Sequence, residues 1–369
     1  MLSLFVCADS PLEHLDRAIA QSMKLLLAVL VVQLLCNARA LTTKLSKTVV
    51  VFGATGRVGR LAVKELLDRD QQLSVRCIVR SLSKAKEILP SDPRVESVEG
   101  NLERNSEIQS YCTGADSAIW CAAGFSDASS PISKVVGALK LKFSPAAVID
   151  IKALGQVGSQ MSTKEGVVPG GPTVVMCSSA GVTRPTWSAE KKLRLVGAAD
   201  IPIVRLNPLN ILDIKRKGED GLRVACGSAA RYTIVRPCGL NDATPRGRPL
   251  LSQGDVAVGR ISRADAAKLL VDALLEPSAC GKTLEALALP NFPYPSSLSD
   301  QLTRLKRDAE PGPDESALFA TYALLQQIVP GTTMRPNELA MGQTYEQLDK
   351  GQEGRLGARG TETAPITRS

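Results

Sequence analysis

Three glycines, each three residues after the last, directly follow a short apolar run. Residues 49–52 are Val-Val-Val-Phe, and Gly53, Gly56 and Gly59 punctuate the loop Gly-Ala-Thr-Gly-Arg-Val-Gly that comes next. Glycine permits tight turns and close backbone approach, and the N-terminus of a following helix attracts an anion. Because strand-like and helix-like patterns flank the loop, the spacing predicts a phosphate-binding loop of a dinucleotide site rather than a turn without a ligand.

The other residues of this loop are predicted to border the same phosphate. Thr55 and Val58 lie between the glycines, and Arg57 adds a guanidinium that could contact a second phosphate group.

Arg80 stands where dinucleotide-binding folds select their cofactor. An acidic residue at the end of the second strand accepts hydrogen bonds from the ribose of NAD, whereas an arginine favours the additional phosphate of NADP. Ser81 and Lys84 follow Arg80, and residues 71–86 contain no Asp or Glu. The sequence therefore predicts NADP (NADPH) in preference to NAD, and the alternative for Arg80 is an ordinary surface side chain.

The mature chain is predicted to contain no histidine. The single histidine, His14, precedes a predicted cleavage point, and no Cys-x-x-Cys pair is present. Catalytic triads with histidine, histidine general bases and histidine-ligated metals are therefore not expected, and we predict no metal. Cys77, Cys121 and Cys177 fall in predicted central strands, where we expect them to act as small hydrophobic residues.

Strand and helix patterns alternate from residue 48, which predicts crossover units and a parallel sheet. Strands are expected at residues 49–52, 74–79, 95–99, 118–122, 173–177 and 232–235. Helices are expected at residues 58–68, 82–89, 147–154, 188–198 and 212–223. A further helix should begin at the capping pair Ser262 and Asp265, with a buried face formed by Ala266, Leu269, Leu270, Ala273 and Leu274. Residues 124–172 are rich in Ser, Gly and Pro and are expected to form loops beside the ligand.

The first 40 residues have the layout of a targeting segment. Met23 and Lys24 precede an apolar run at residues 25–35, and Ala38-Arg39-Ala40 resembles a cleavage site. The alternative is an N-terminal core helix. A short basic, hydroxyl-rich stretch follows at residues 42–47, so we predict delivery to a plastid by a signal and a transit segment, with the secretory pathway as the alternative. No transmembrane span is expected in the mature chain, because the apolar run is too short.

The alternating strand and helix pattern does not continue into the C-terminal part of the chain. Residues 291–349 are predicted to form a helical extension, with helices at 300–307 and 315–329, and residues 350–369 a disordered tail. The second helix carries Leu318, Tyr322, Leu325 and Val329 on one face. That face should pack on its own domain or dock to a protein partner or membrane surface.

Four motifs in order resemble the atypical short-chain dehydrogenase/reductases, and among them the NmrA-like NAD(P)H-binding branch common in plastids. They are the glycine loop, Val-Val-Met-Cys-Ser-Ser-Ala-Gly-Val-Thr-Arg-Pro at 174–185, Tyr-Thr-Ile-Val-Arg-Pro-Cys-Gly-Leu at 232–240 and Ile-Ser-Arg-Ala-Asp at 261–265. The resemblance implies an α/β fold with a doubly wound parallel Rossmann sheet at residues 41–290. It also implies that Asn101 lies near the adenine, and that Ala122, Ala123 and Gly124 line the nucleotide.

The resemblance also locates a catalytic position. Active members of the wider superfamily use Ser, Tyr and Lys, with the Tyr four residues before the Lys on one helix. Here Lys215 matches the Lys, Ile211 occupies the Tyr position, and Ser179, with Ser178 beside it, matches the Ser region. An aliphatic side chain cannot transfer a proton, although Lys215 could still hold ribose hydroxyls.

Two functions from different classes remain open. One is a nucleotide-sensing scaffold or assembly factor in the plastid, which slightly better suits a chain without the tyrosine. The other is an NADPH-dependent oxidoreductase that acts on a plastid metabolite by a route without tyrosine. Nucleic-acid binding is not expected, because only a net charge of +8 favours it and aromatic residues make up only 4% of the chain.

Overall fold

The computed structural model describes residues 23–24, 27–28, 47–123, 148–207, 210–243, 247–289 and 292–329. The chain divides into two units, Met1–Ser46 and Lys47–Ser369, and the description below concerns the second. Of the first unit only two exposed helical pieces, 23–24 and 27–28, are described. The proposed cleavage site, Gly124 and the predicted tail at 350–369 lie outside the described residues.

An eight-stranded sheet forms the centre of the second unit. Its strand order is β3-β2-β1-β4-β5-β6-β10-β8, and all neighbours are parallel except β10 and β8. A separate parallel pair is formed by β7 and β9. The strands are β1 Lys47–Phe52, β2 Leu73–Val79, β3 Val95–Glu99, β4 Ser117–Trp120, β5 Val174–Cys177, β6 Tyr232–Pro237, β7 Gly239–Asn241, β8 Arg248–Ser252, β9 Arg260–Ser262 and β10 Lys282–Leu289.

Helices cover both faces of this sheet, as the doubly wound fold requires. They are α1 Gly59–Arg69, α2 Leu82–Ile88, α3 Ile108–Cys112, α4 Leu154–Met161, α5 Ala189–Arg194, α6 Val196–Ala199, α7 Pro202–Leu206, α8 Ile211–Cys226, α9 Arg263–Leu275, α10 Ser299–Arg304 and α11 Glu315–Ile328. A π-helical segment, Val148–Ala153, leads into α4.

The residues of each strand alternate between two hydrophobic clusters. In β1, Val49 and Val51 belong to the cluster with α1 and α9, whereas Val50 and Phe52 belong to the cluster with α4 and α8. All four are fully buried, because a parallel sheet covered on both faces needs apolar residues at every position. The buried face predicted for α9 is confirmed, and the Ser262 hydroxyl accepts a hydrogen bond from the Asp265 backbone N–H at 2.9 Å.

Several element boundaries differ from the sequence-based expectation. Strand β4 ends at Trp120, so Cys121 lies just beyond the strand in which it was placed. The helix expected at 188–198 is divided at Leu195, whose ψ of 42° departs from helical geometry. The helix expected at 147–154 is the π-helical segment Val148–Ala153, and α4 continues from it to Met161 within the region otherwise expected to form loops.

Strand β10 was missed because it breaks the apolar pattern. The side chains of Lys282 and Glu285 in this strand are buried. The Lys282 ammonium donates a hydrogen bond to the Leu302 carbonyl at 2.6 Å. The Glu285 carboxylate accepts hydrogen bonds from the backbone N–H groups of Asp255, Val256 and Ala257, at 2.7, 3.1 and 3.2 Å. These hydrogen bonds offset the cost of burying the carboxylate. The local sequence pattern does not predict them, because their donors lie in another segment.

The C-terminal helix α11 packs on its own domain. Leu318 and Tyr322 join a cluster with residues of α6 and α8, and Leu325 joins another with Leu287 of β10. Asp314 caps the helix by accepting the Ala317 N–H at 2.8 Å. In the part of the chain that is described, no helix has the length and apolar character needed to cross a membrane.

Candidate nucleotide-binding site

The predicted binding residues follow strands that end at one edge of the sheet. Along that edge the strand order β3-β2-β1-β4-β5 brings Asn101, Arg80, Gly53, Ala122 and Ser178 into line. Neighbouring strands lie roughly 4.8 Å apart, so this row is of the order of 20 Å long. The chain turns in opposite directions after β1 and β4, and a crevice for a ligand forms at such a switch point.

The glycine loop is geometrically restricted at two of its positions. Gly53 has a φ of 77°, and a Cβ there would lie 2.6 Å from the backbone nitrogen of Ala122. A Cβ on Gly59 would lie 2.2 Å from the Gly53 carbonyl oxygen. The first glycine therefore brings the loop against the end of β4, and the third brings α1 against the loop.

The N-terminus of α1 directly follows the glycine loop. Within the described structure, no side chain caps it and no acidic residue lies in its first turn. Uncapped N–H groups at the positive end of a helix attract a phosphate. The glycine geometry and the open helix end together fit a dinucleotide diphosphate.

Arg80 and Asn101 mark the end of the crevice away from the glycine loop. Arg80 directly follows β2 and is exposed. The neighbouring Ser81 caps α2 by accepting the Lys84 N–H at 3.4 Å, and the Asn101 side-chain oxygen accepts the Glu103 N–H at 2.9 Å. The exposed Arg80 side chain could therefore bind a phosphate, whereas the Ser81 hydroxyl is used to cap α2.

Arg57 is engaged by a residue that the sequence analysis did not identify. Its guanidinium pairs with the carboxylate of Asp242, which also accepts a hydrogen bond from Arg263 at 2.7 Å. Asp242 directly follows β7, a three-residue strand too short to be recognised from its pattern. A phosphate that used Arg57 would compete with this carboxylate.

The two serines at the end of β5 have different partners. The Ser178 hydroxyl donates to the buried carboxylate of Glu219 at 2.6 Å, and the Ser179 hydroxyl donates to the Ala180 carbonyl at 3.0 Å. Glu219 also holds the Arg236 guanidinium through two hydrogen bonds, at 2.9 and 2.6 Å. Ser178 therefore belongs to a buried polar network, and Ser179 is the more accessible of the two.

Helix α8 carries the remaining predicted residues. Ile211, its first residue, packs against the apolar cluster that contains Leu318 and Tyr322. Lys215 lies one turn further along and is half-buried. Its ammonium makes no hydrogen bond or ion pair to the described residues, but it acts electrostatically on the thiols of Cys121 and Cys177. The structure thus brings Lys215 to the ends of β4 and β5, and it offers no hydroxyl at position 211.

The same edge contains Ala122 and Ala123. Ala122 is buried against Gly53, whereas Ala123 is exposed. Among the residues that the structure describes, no group of three His, Cys, Asp or Glu side chains is arranged for a metal ion.

This sheet, its switch point and its open glycine loop define the class of Rossmann-type nucleotide-binding proteins. The model of the NAD(P)H-binding family matches residues 53–277, and the chain belongs to that family.

Relatives of this chain include two uncharacterised chloroplast proteins of Arabidopsis thaliana. The first is 30% identical over 258 residues, which cover 67% of this chain and 79% of that protein. The second is 26% identical over 258 residues, with coverages of 66% and 70%. Among solved structures, a short-chain dehydrogenase/reductase of Veillonella parvula in complex with NADP is 18% identical, with a TM-score of 0.45 over 68% of this chain and 99% of that one.

Proposed function

We propose that this protein binds NADP(H) along the edge of its sheet and acts as a nucleotide-sensing scaffold or assembly factor. The diphosphate would lie against the loop of Gly53, Gly56 and Gly59 and the N-terminus of α1, with Thr55 and Val58 beside it. The adenosine end would lie between Arg80 and Asn101, and the nicotinamide end over Ala122, Ala123 and the end of β5. Lys215 would hold ribose hydroxyls there.

The main support for the sensing role is the aliphatic side chain at position 211, where active members of the wider superfamily have a tyrosine. Ile211 is partly buried in an apolar cluster, so its surroundings would not suit a tyrosine hydroxyl poised for proton transfer. Ser178 is bound to Glu219, which leaves only Ser179 and Lys215 as polar side chains of the predicted catalytic set. A bound nicotinamide supplies hydride, but the tyrosine that usually supplies the proton is absent from this set.

Nucleotide titration and a turnover assay test this proposal together. We expect the full chain to bind NADPH more tightly than NADH, and to consume no detectable NADPH with common aldehydes, ketones and quinones. Robust consumption with any of them would overturn the sensing role.

The scaffold role also requires a protein partner, which co-purification tests. Because the Leu318 face of α11 is used within the fold, a partner on this helix would have to contact exposed residues such as Leu324 and Ile328.

The second candidate is an NADPH-dependent oxidoreductase that works without a tyrosine. The position of Lys215 favours it, because an ammonium near the ends of β4 and β5 could stabilise a developing alkoxide. The proton would come from solvent, Ser179 or the substrate. Replacing Ser179 with Ala should then lower kcat without changing the affinity for NADPH.

We also propose that the protein works in a plastid. The chloroplast assignment of the two Arabidopsis relatives supports this location, as does the targeting pattern of residues 1–40. Expression of the full chain fused to a fluorescent protein tests it, and fluorescence in the secretory pathway alone would contradict it.

A further inference from the structure

Two cysteines meet at the nicotinamide end of the proposed crevice. Trp120 of β4 is the register partner of Met176 of β5, and the next residues along these parallel strands are Cys121 and Cys177. Both side chains pack against the same hydrophobic cluster. Neighbouring strands lie roughly 4.8 Å apart, which is within the range of Cα separations that a disulfide spans.

This pair differs from the other cysteines in exposure. Of the seven cysteines that the structure describes, Cys121 and Cys177 alone are partly exposed, and the other five are buried. Burial raises the pKa of Cys77 to about 12 and that of Cys112 to about 11, so these thiols are inert near neutral pH.

The electrostatics of the pair are asymmetric. A side-chain hydrogen bond with Cys121 lowers the pKa of the Cys177 thiol, and the Lys215 ammonium lowers it further against the effect of burial. The same hydrogen bond, together with burial, raises the pKa of Cys121. Of the two thiols, Cys177 therefore loses its proton more readily, and its thiolate would lie beside a cation.

We propose that Cys121 and Cys177 form a reversible redox site, in which a small peroxide oxidises Cys177 and Cys121 closes a disulfide. The Cys177 thiolate attacks one peroxide oxygen, the O–O bond breaks, and the leaving hydroxide takes a proton to become water. The sulfur of Cys121 then attacks the resulting sulfenic acid, the S–O bond breaks, and a second water leaves with the proton of Cys121. Two thiols lose two electrons in total, hydrogen peroxide is reduced to two waters, and a dithiol can restore the pair.

The location couples this site to the nucleotide, a coupling that rests on the proposed function. A nicotinamide over the ends of β4 and β5 would cover both thiols. Bound NADP should therefore slow oxidation, and the disulfide should weaken nucleotide binding.

Peptide mapping after oxidation tests the redox site directly. The full chain is treated with hydrogen peroxide, blocked with an alkylating reagent and digested for mass spectrometry. We expect a linked Cys121–Cys177 peptide that dithiothreitol releases. Cys121→Ser should leave a sulfenic acid on Cys177 that dimedone captures, whereas Cys238→Ala should behave as the unaltered protein does. Peroxide that oxidises the buried cysteines equally fast, or forms no linked peptide, would overturn the proposal.

Two further measurements test the electrostatics and the location. Lys215→Met should slow oxidation at pH 7 about threefold or more, whereas Lys217→Met, an exposed residue on the same helix, should not. Equal rates would remove the role of Lys215. Saturating NADP should slow oxidation of the unaltered protein. If NADP binds without slowing it, the placement under the nicotinamide is wrong, and if NADP does not bind while the disulfide still forms, only the proposed function fails.

Discussion

Arg80 is the residue on which the proposed preference for NADP over NAD rests. It is exposed, it directly follows β2, and the hydroxyl of its neighbour Ser81 is used to cap α2. We expect Arg80→Asp to weaken NADP binding about 10- to 100-fold, because charge-assisted hydrogen bonds to a phosphate are lost and a like charge replaces them. NAD binding should change much less. Isothermal titration with both nucleotides measures the difference.

A charge-matched control for Arg80 is available at the opposite edge of the sheet. Arg304 is exposed and lies in α10, close to Leu302, whose carbonyl accepts a hydrogen bond from Lys282 at the start of β10. Arg304→Asp should leave both affinities unchanged. Equal losses of NADP and NAD affinity in Arg80→Asp would remove the case for selection by Arg80.

Gly59 combines a structural role with the proposed binding role. A Cβ at this position would lie 2.2 Å from the Gly53 carbonyl oxygen, and neither backbone can move without disturbing the loop. We expect Gly59→Ala to lower the free energy of unfolding by about 1–3 kcal/mol and to abolish nucleotide binding. Gly155→Ala in α4 is the control, since its Cβ would meet nothing within 4 Å and should be neutral or stabilising by about 0.5 kcal/mol. Retained NADP affinity in Gly59→Ala would contradict the proposed cradle.

At the scale of elements, the C-terminal helix α11 shows how one helix can have a buried and a free face. Leu318 is 7% exposed and packs close to Gly254, whereas Leu324 is 55% exposed. We expect Leu318→Ala to lower the free energy of unfolding by about 2–4 kcal/mol, because a cavity is left between α11 and the domain. Leu324→Ala should change it by less than about 0.5 kcal/mol. Urea denaturation of both variants measures this, and similar effects would mean that α11 does not pack as described.

At the scale of the whole molecule, Glu285 links β10 to the segment that follows β8. Burial raises the pKa of its carboxyl above the usual 4.5, and the nearby Asp255 raises it further, although Arg236 and the backbone N–H groups oppose these effects. A carboxyl whose pKa is raised by folding binds a proton more readily in the folded state. Its contribution to stability is therefore fully present below the unfolded-state pKa and is lost as the pH rises through the folded-state pKa.

Glu285→Gln tests this linkage. The stability of the unaltered protein relative to the variant should increase as the pH falls from 7 toward 4.5, because only the unaltered protein can take up this proton. Denaturation curves across that interval measure the difference, with Glu87→Gln on the exposed side of α2 as the control. A difference that does not change with pH would show that Glu285 does not titrate in this interval.

The sequence by itself determined the class of fold and the position of the glycine loop between β1 and α1. Both depend on local patterns, since apolar runs specify buried parallel strands, and glycines at fixed spacing specify a tight turn with close backbone approach. The six strands expected from the pattern are β1 to β6, and the buried face of α9 was also foreseen.

Tertiary structure alone decided which distant polar groups meet. Asp242 approaches Arg57, Ser178 donates to Glu219, and Cys121 lies beside Cys177, although each pair is separated by 41 residues or more in the chain. Strand β10 likewise depends on partners for Glu285 that lie in another segment. Such pairings follow from strand order and register, which place the ends of different strands side by side. A local sequence pattern cannot predict these long-range neighbours.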